Sequence, residues 1–360
     1  MNDLERFKAT CAHEPHDGIL YYTSFTQDLK QRVLKHFDVR NERDLIHKTG
    51  MMDKAGLVLT PPADVPKPDL SGYYEGVEQP EGSTIDGFGV LRTPAGFHHF
   101  THTVSPLRNA QRFEDLEAFP FPDYSRADTT RFAEIADTAH REGRVVVGHV
   151  GHIFETAWAI RGMEEFLMDM AVQPEWCEFI LDKLKEINLI KARACAAAGA
   201  DWIHTGDDVA TQRGMMFSIE QWRRFQKPRW AEIYAEARRI KPDIQIWYHS
   251  DGDISEIIPE LIEIGVTILN PVQPECLDPE MVKRLYGDKL VLDGTIGTQT
   301  TMPFGTPDVV REVVKRRIET LGYDGALILS PTHVLEPEVP LENIEAFLKT
   351  AREEGSRQTV

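Results

Sequence analysis

From residue 144 onward, short apolar runs alternate with helix-length segments, and each run stops abruptly at a polar cluster. Ile244–Trp247 runs into Tyr248-His249-Ser250-Asp251-Gly252. Thr267–Leu269 runs into Asn270-Pro271-Val272-Gln273-Pro274-Glu275-Cys276, and Ala326–Leu329 into Ser330-Pro331-Thr332-His333. Runs this short and continuous suit strands buried on both faces, as in a parallel sheet covered by helices. Parallel strands in such a series are joined by right-handed crossovers. The polar clusters then gather at one end of the sheet, the end where barrels and open α/β folds carry their chemistry.

Three more segments fit the pattern. Arg144–Val147 ends at Gly148-His149-Val150-Gly151-His152, Asp201–Ile203 at His204-Thr205-Gly206-Asp207-Asp208, and Leu290–Leu292 at Asp293-Gly294-Thr295. Between them the spacing predicts helices over 174–198, 254–264, 279–286 and 307–321. Phe166, Leu167, Met170 and Val172 mark the apolar side of another. Ser218 is a suitable N-cap for a helix that should break or kink at Pro228. Pro340-Leu341-Glu342-Asn343 opens the last helix.

The first half is less regular. Gly18–Tyr22 reads as a first strand, 31–49 as helical, and Ala63–Pro80 as a loop. Residues 85–104 alternate around glycine turns, which predicts a β-hairpin insertion. Phe119-Pro120-Phe121-Pro122 reads as a rigid linker. The expected fold is α/β: a (β/α)8 TIM-type barrel, one domain over 1–360. Residues 1–125 would hold the N-terminal elaboration and first strands, and 126–360 the regular βα units. An open doubly wound sheet is the alternative, but no GxGxxG follows a strand to serve a dinucleotide.

A net charge of -18 without a dense Lys/Arg run argues against nucleic-acid binding, which needs a basic face. No apolar run approaches the roughly 18 residues that span a bilayer. Met1–Phe7 has no apolar signal segment, so a cytoplasmic protein is expected. Cys11, Cys177, Cys195 and Cys276 form no CxxC pair, and a disulfide framework is not expected.

In a barrel the strand ends would crowd His149, His152, His204, Asp207, Asp208, His249, Asp251, Gln273, Glu275, Asp293 and His333 at one mouth. Acids outnumber bases there, and like charges that close call for a cation. A catalytic zinc needs three protein ligands and an open position. His249 and His333 lead as ligands, with Asp251, Glu275 and Cys276 as candidates for the third. Asp207 and Asp208 are adjacent, so alternation sends one toward the barrel axis and the other away. They are the candidates for acid–base work, although a strand-end carboxylate can also cap a helix. His149, Gln273 and Asp293 are assigned to substrate binding. His98-His99-Phe100-Thr101-His102 looks metal-binding in composition, but a hairpin surface explains it equally well.

These segments resemble the uroporphyrinogen decarboxylase superfamily. The resemblance rests on His204–Asp208, Tyr248–Gly252, Asn270–Glu275 and Ser330–His333 through Pro340-Leu341-Glu342-Asn343-Ile344. It implies a (β/α)8 barrel, often dimeric. The porphyrinogen decarboxylases carry an N-terminal Arg-Gln-Ala-Gly-Arg segment, whereas residues 18–23 here read GILYYT. The cobalamin-dependent methyltransferase branch holds zinc on a His-x-Cys pair and a distant Cys. Here the His is His249, the near Cys position is Asp251, and the distant one is His333.

The framework persists while harder ligands replace both thiolates, which leaves a metal more Lewis acidic. The expected activity is therefore a zinc-dependent methyltransferase or demethylase on a small-molecule substrate. His249, Asp251, Glu275 and His333 would hold the Zn2+. The methyl group would pass to a corrinoid on a partner protein. A metal-free decarboxylase is the alternative, and a non-catalytic binding barrel the third possibility.

Overall fold

The computed structural model describes residues 1–14, 16–95 and 101–357. Eight parallel strands follow one another in chain order: β1 (Leu20–Tyr21), β2 (Lys54–Val58), β3 (Val145–Gly151), β4 (Trp202–Gly206), β5 (Gln245–His249), β6 (Ile268–Asn270), β7 (Val291–Asp293) and β8 (Leu327–Leu329). β8 pairs back onto β1 through Leu20↔Ile328 and Tyr21↔Leu329. Just before β2, the Met52 N–H donates to the Tyr21 carbonyl at 2.8 Å. That bond joins the two ends of the sheet, so the curl is a TIM-type barrel rather than an open sheet.

Alternation along each strand divides the core in two. Val145, Val147, Trp202, Trp247, Ile268, Val291 and Ile328 fill the barrel interior. Val146, Ile203, Ile246, Leu269, Leu292 and Leu327 face the surrounding helices. Burial on both faces is why these strands read as unbroken apolar runs. The floor is sealed by the N-terminal helix Asp3–Ala12, whose start carries a reciprocal Asn2–Glu5 capping box. Its Phe7 meets Trp202 edge-on at 5.0 Å between ring centroids. The barrel is therefore open for ligands at the carboxyl ends of its strands.

Several sequence expectations change in detail. The 31–49 segment is two helices, Gln27–His36 and Glu42–Thr49. The Ser218-capped helix Ile219–Phe225 ends at Gln226, and Pro228 sits in the first turn of the next helix, Lys227–Ile240. The helix expected from 254 begins at Ile258, because Pro259 lacks an N–H and suits only a first turn. The insertion is three-stranded and antiparallel, over Thr84–Ile85, Leu91–Pro94 and Thr101–Val104. His98, His99 and Phe100 lie outside the described residues. β2 was not foreseen. Among the described residues, no helix is long and apolar enough to cross a membrane.

Candidate functional site

A cavity of about 650 Å³ occupies the open end of the barrel. Strand register builds its wall. His149 of β3 pairs with His204 of β4, which pairs with Trp247 of β5. The His149 and His204 rings lie 5.3 Å apart, and His204 stacks on Trp247 at 4.0 Å. Trp247 and His249 share one face of β5 and stack at 5.7 Å. The result is a continuous wall of flat rings. Burial keeps the His149 and His204 imidazoles below their ordinary pKa, and the Lys54 charge pushes both the same way.

His249 is held in one orientation. Its Nδ1 donates to the Asn270 side-chain oxygen at 2.7 Å, from the directly opposed position on β6. That bond turns the Nε2 lone pair toward the carboxylates, 3.7 Å from Asp208 Oδ1 and 4.0 Å from Asp251 Oδ1. Asp208 also accepts the Asp251 N–H at 2.8 Å. Asp208, His249 and Asp251 thus present ligand atoms within 4.8 Å of one another. Burial raises the Asp251 carboxyl, the Asp208 charge adds to the effect, and His249 and His333 oppose it.

His333 lines the same cavity, its ring centroid 6.3 Å from that of His249. With Asp251 and Gln273 it also lines a smaller adjoining cavity of about 210 Å³. Gln273 is buried and accepts the Gly252 N–H. Glu275 stands apart from this group. Its Oε1 accepts the Gln299 N–H and the Thr300 hydroxyl, so the carboxylate serves the loop after β7. The neighbouring Cys276 thiol is pushed up to about 11, first by burial and then by nearby acids, which keeps it in its unreactive form.

The adjacent aspartates diverge as strand alternation requires. Asp208 lines the cavity, while Asp207 is fully buried behind its wall. Asp207 accepts the Ile153 and Glu155 N–H groups and Trp230 Nε1–H, which caps the helix Phe154–Arg161. Burial pushes its carboxyl up to about 8 against the pull of the charged His152 and these donors. Burial alone would lower His152, but its 2.8 Å contact with Glu155 reverses that and holds it at about 9. Glu155 also accepts the Asp208 N–H, tying this second cluster to the cavity rim.

Asp293 is likewise fully buried. It accepts from Tyr22, Trp247 and Ser330, and so orients three cavity side chains from below. Three site residues were not singled out in the sequence: Asn270, Glu155 and Lys54. Asn270 stood in a quoted strand-end motif. Glu155 follows His152 at i+3 on a helix start. Lys54 is a lone cation in the apolar stretch Met51–Leu59.

The family model for uroporphyrinogen decarboxylase (URO-D) matches residues 101–354, a span that carries β3 to β8 and every strand-end cluster. The chain belongs to the URO-D family. A curated relative, the uroporphyrinogen decarboxylase of Trichodesmium erythraeum (strain IMS101), is 26% identical over 263 residues, covering 71% of this chain and 69% of that protein. Among solved structures, a methyltransferase from Methanosarcina mazei superposes with a TM-score of 0.67 at 18% identity. The match covers 98% of this URO-D chain and 99% of that one, and it shows a shared fold.

Proposed function

We propose that this URO-D family member is a metal-dependent methyltransferase that removes a methyl group from a small substrate. The observation that carries the reading is the Asp208–His249–Asp251 group, with His249 pre-oriented by Asn270, at the rim of a ring-walled cavity. The donor chemistry fits a metal. Two half-buried carboxylates lie beside one imidazole nitrogen, and their mutual repulsion is relieved when a cation joins them. An ordered second nitrogen on the histidine is what metal-binding imidazoles have. His333 is the fourth candidate donor. Nitrogen and oxygen donors suit zinc, and the bound ion would polarise the heteroatom that carries the methyl group.

The protein's own groups do the rest. The ring wall excludes water and supports an apolar substrate body. Asn270 fixes the imidazole. The His152–Glu155 pair holds the Asp208 backbone. The methyl acceptor is proposed to be a corrinoid on a partner protein; the fold shared with the Methanosarcina mazei methyltransferase supports methyl transfer as the reaction. A second reading, metal-free decarboxylation of a small acid, is favoured by the Trichodesmium erythraeum relative and by the Lys54 ammonium in the cavity.

Metal analysis of the wild type and a His249→Ala/Asp251→Ala variant decides between them, together with methyl transfer to reduced cobalamin and CO2 release. About one metal per chain, lost in the variant along with methyl transfer, supports the methyltransferase. Metal-independent CO2 release would replace it with the decarboxylase.

A further inference from the structure

Lys54 opens β2 and turns its side chain into the barrel, where it lines the main cavity. Its Nζ lies 3.4 Å from the Tyr22 ring centroid and 5.7 Å from that of Trp202. Among the described residues, its ammonium forms no ion pair and no side-chain hydrogen bond. Two carboxylates act on it, Asp293 more strongly than Glu42, but Asp293 is already engaged by Tyr22 and Trp247, and Glu42 by Lys30. Beside it stand His149 and His204, both held neutral by burial, so no second cation competes for a ligand there. A buried cation with no carboxylate in contact is expensive to keep unless something else supplies one.

The cavity is therefore bipolar. Lys54 marks a cationic end, and Asp208 and Asp251 mark an acidic end, with the rings of Trp247 and His204 between them. We infer that Lys54 is the anchor for a carboxylate on the substrate, so that the substrate class is small organic monocarboxylates whose anion pairs with the ammonium that Tyr22 holds. This deepens the methyltransferase reading and rests on it for the reaction alone. The acid end would then receive the opposite end of the same molecule, where the methyl-bearing heteroatom sits. A polycarboxylate is disfavoured, because its further anions would meet Asp208, Asp251 and Glu155.

The test is calorimetric binding of acetate, benzoate and inorganic phosphate to the full chain at pH 7, with EDTA present so that no carboxylate–metal contact contributes. Lys54→Met and Lys54→Gln variants are run beside it, with circular dichroism confirming the fold. Benzoate is expected to bind the wild type and to weaken at least tenfold in both variants. Acetate should bind more weakly, lacking a ring for the wall. Absence of benzoate binding to the wild type, or equal binding in the variants, overturns the anchor. Phosphate bound more tightly than benzoate overturns the carboxylate assignment. None of these results depends on metal or corrinoid, so failure of the anchor and failure of the methyl-transfer reading are separately visible.

Discussion

Replacing Lys54 with methionine should make the protein more stable. Burial lowers the Lys54 amine from its ordinary 10.5 to about 8, against the opposing pull of Asp293 and Glu42. That depression corresponds to about 3.4 kcal/mol at about 1.36 kcal/mol per decade. Two effects return part of it: the ammonium opens onto a cavity, and it sits on the Tyr22 face, a contact worth up to about 2 kcal/mol when desolvated. We expect a net gain of about 2 kcal/mol for Lys54→Met at pH 7, where methionine keeps the stem's packing and removes the charge.

The sign with pH follows from linkage. The folded pKa lies below the unfolded one, so between about 8 and 10.5 the unfolded chain binds more protons and wild-type stability rises with pH. The gain from Lys54→Met should therefore shrink by more than half between pH 7 and pH 9.5. Urea unfolding followed by circular dichroism at the two pH values measures both quantities, provided the slope with denaturant is unchanged. A variant no more stable than wild type at pH 7, or a gain that does not decline with pH, would refute the claim that Lys54 is a buried, uncompensated charge.

Three further outcomes are expected. Asn270→Ala should weaken metal binding by about 10- to 100-fold while leaving the fold intact, read by chelator competition, because His249 loses the partner that orients it. Asp207→Ala should destabilise the protein by about 3–5 kcal/mol and Asp207→Asn by about 1–3, since the amide oxygen can still accept the Ile153 and Glu155 N–H groups; equal losses in urea unfolding would count against the capping role. Phe7→Ala should lower the urea midpoint by an amount equivalent to about 3–5 kcal/mol, because the floor of the barrel loses its ring against Trp202.

Much of the site was legible because strand ends announce themselves. His249, Asp251 and His333 follow apolar runs directly, and the structure places all three at the barrel mouth. Glu275 was indistinguishable from Asp251 on that criterion. Its position in the loop after β6, five residues beyond the paired Asn270, let the chain turn it toward Gln299 instead. Asp207 and Asp208 could be separated in principle by alternation, but their phase was not knowable without a register. Lys54 was invisible because three of the five β2 residues are not fully buried, and one lysine in an apolar stretch carries no periodic signal.

The sequence by itself determined the architecture: regularly spaced apolar runs must be buried on both faces, and a parallel sheet in chain order under helices does this. It also determined which polar side chains would reach the carboxyl end of each strand. Only the tertiary structure decided which of them meet. Closure through Met52 and Tyr21 carries Lys54 into the same cavity as His249, nearly 200 residues along the chain. Cross-strand register sets Asn270 against His249 and sends Asp207 behind the wall. Residues this far apart in sequence share a site through the hydrogen-bond register of eight strands, a property of the closed sheet that no local segment encodes.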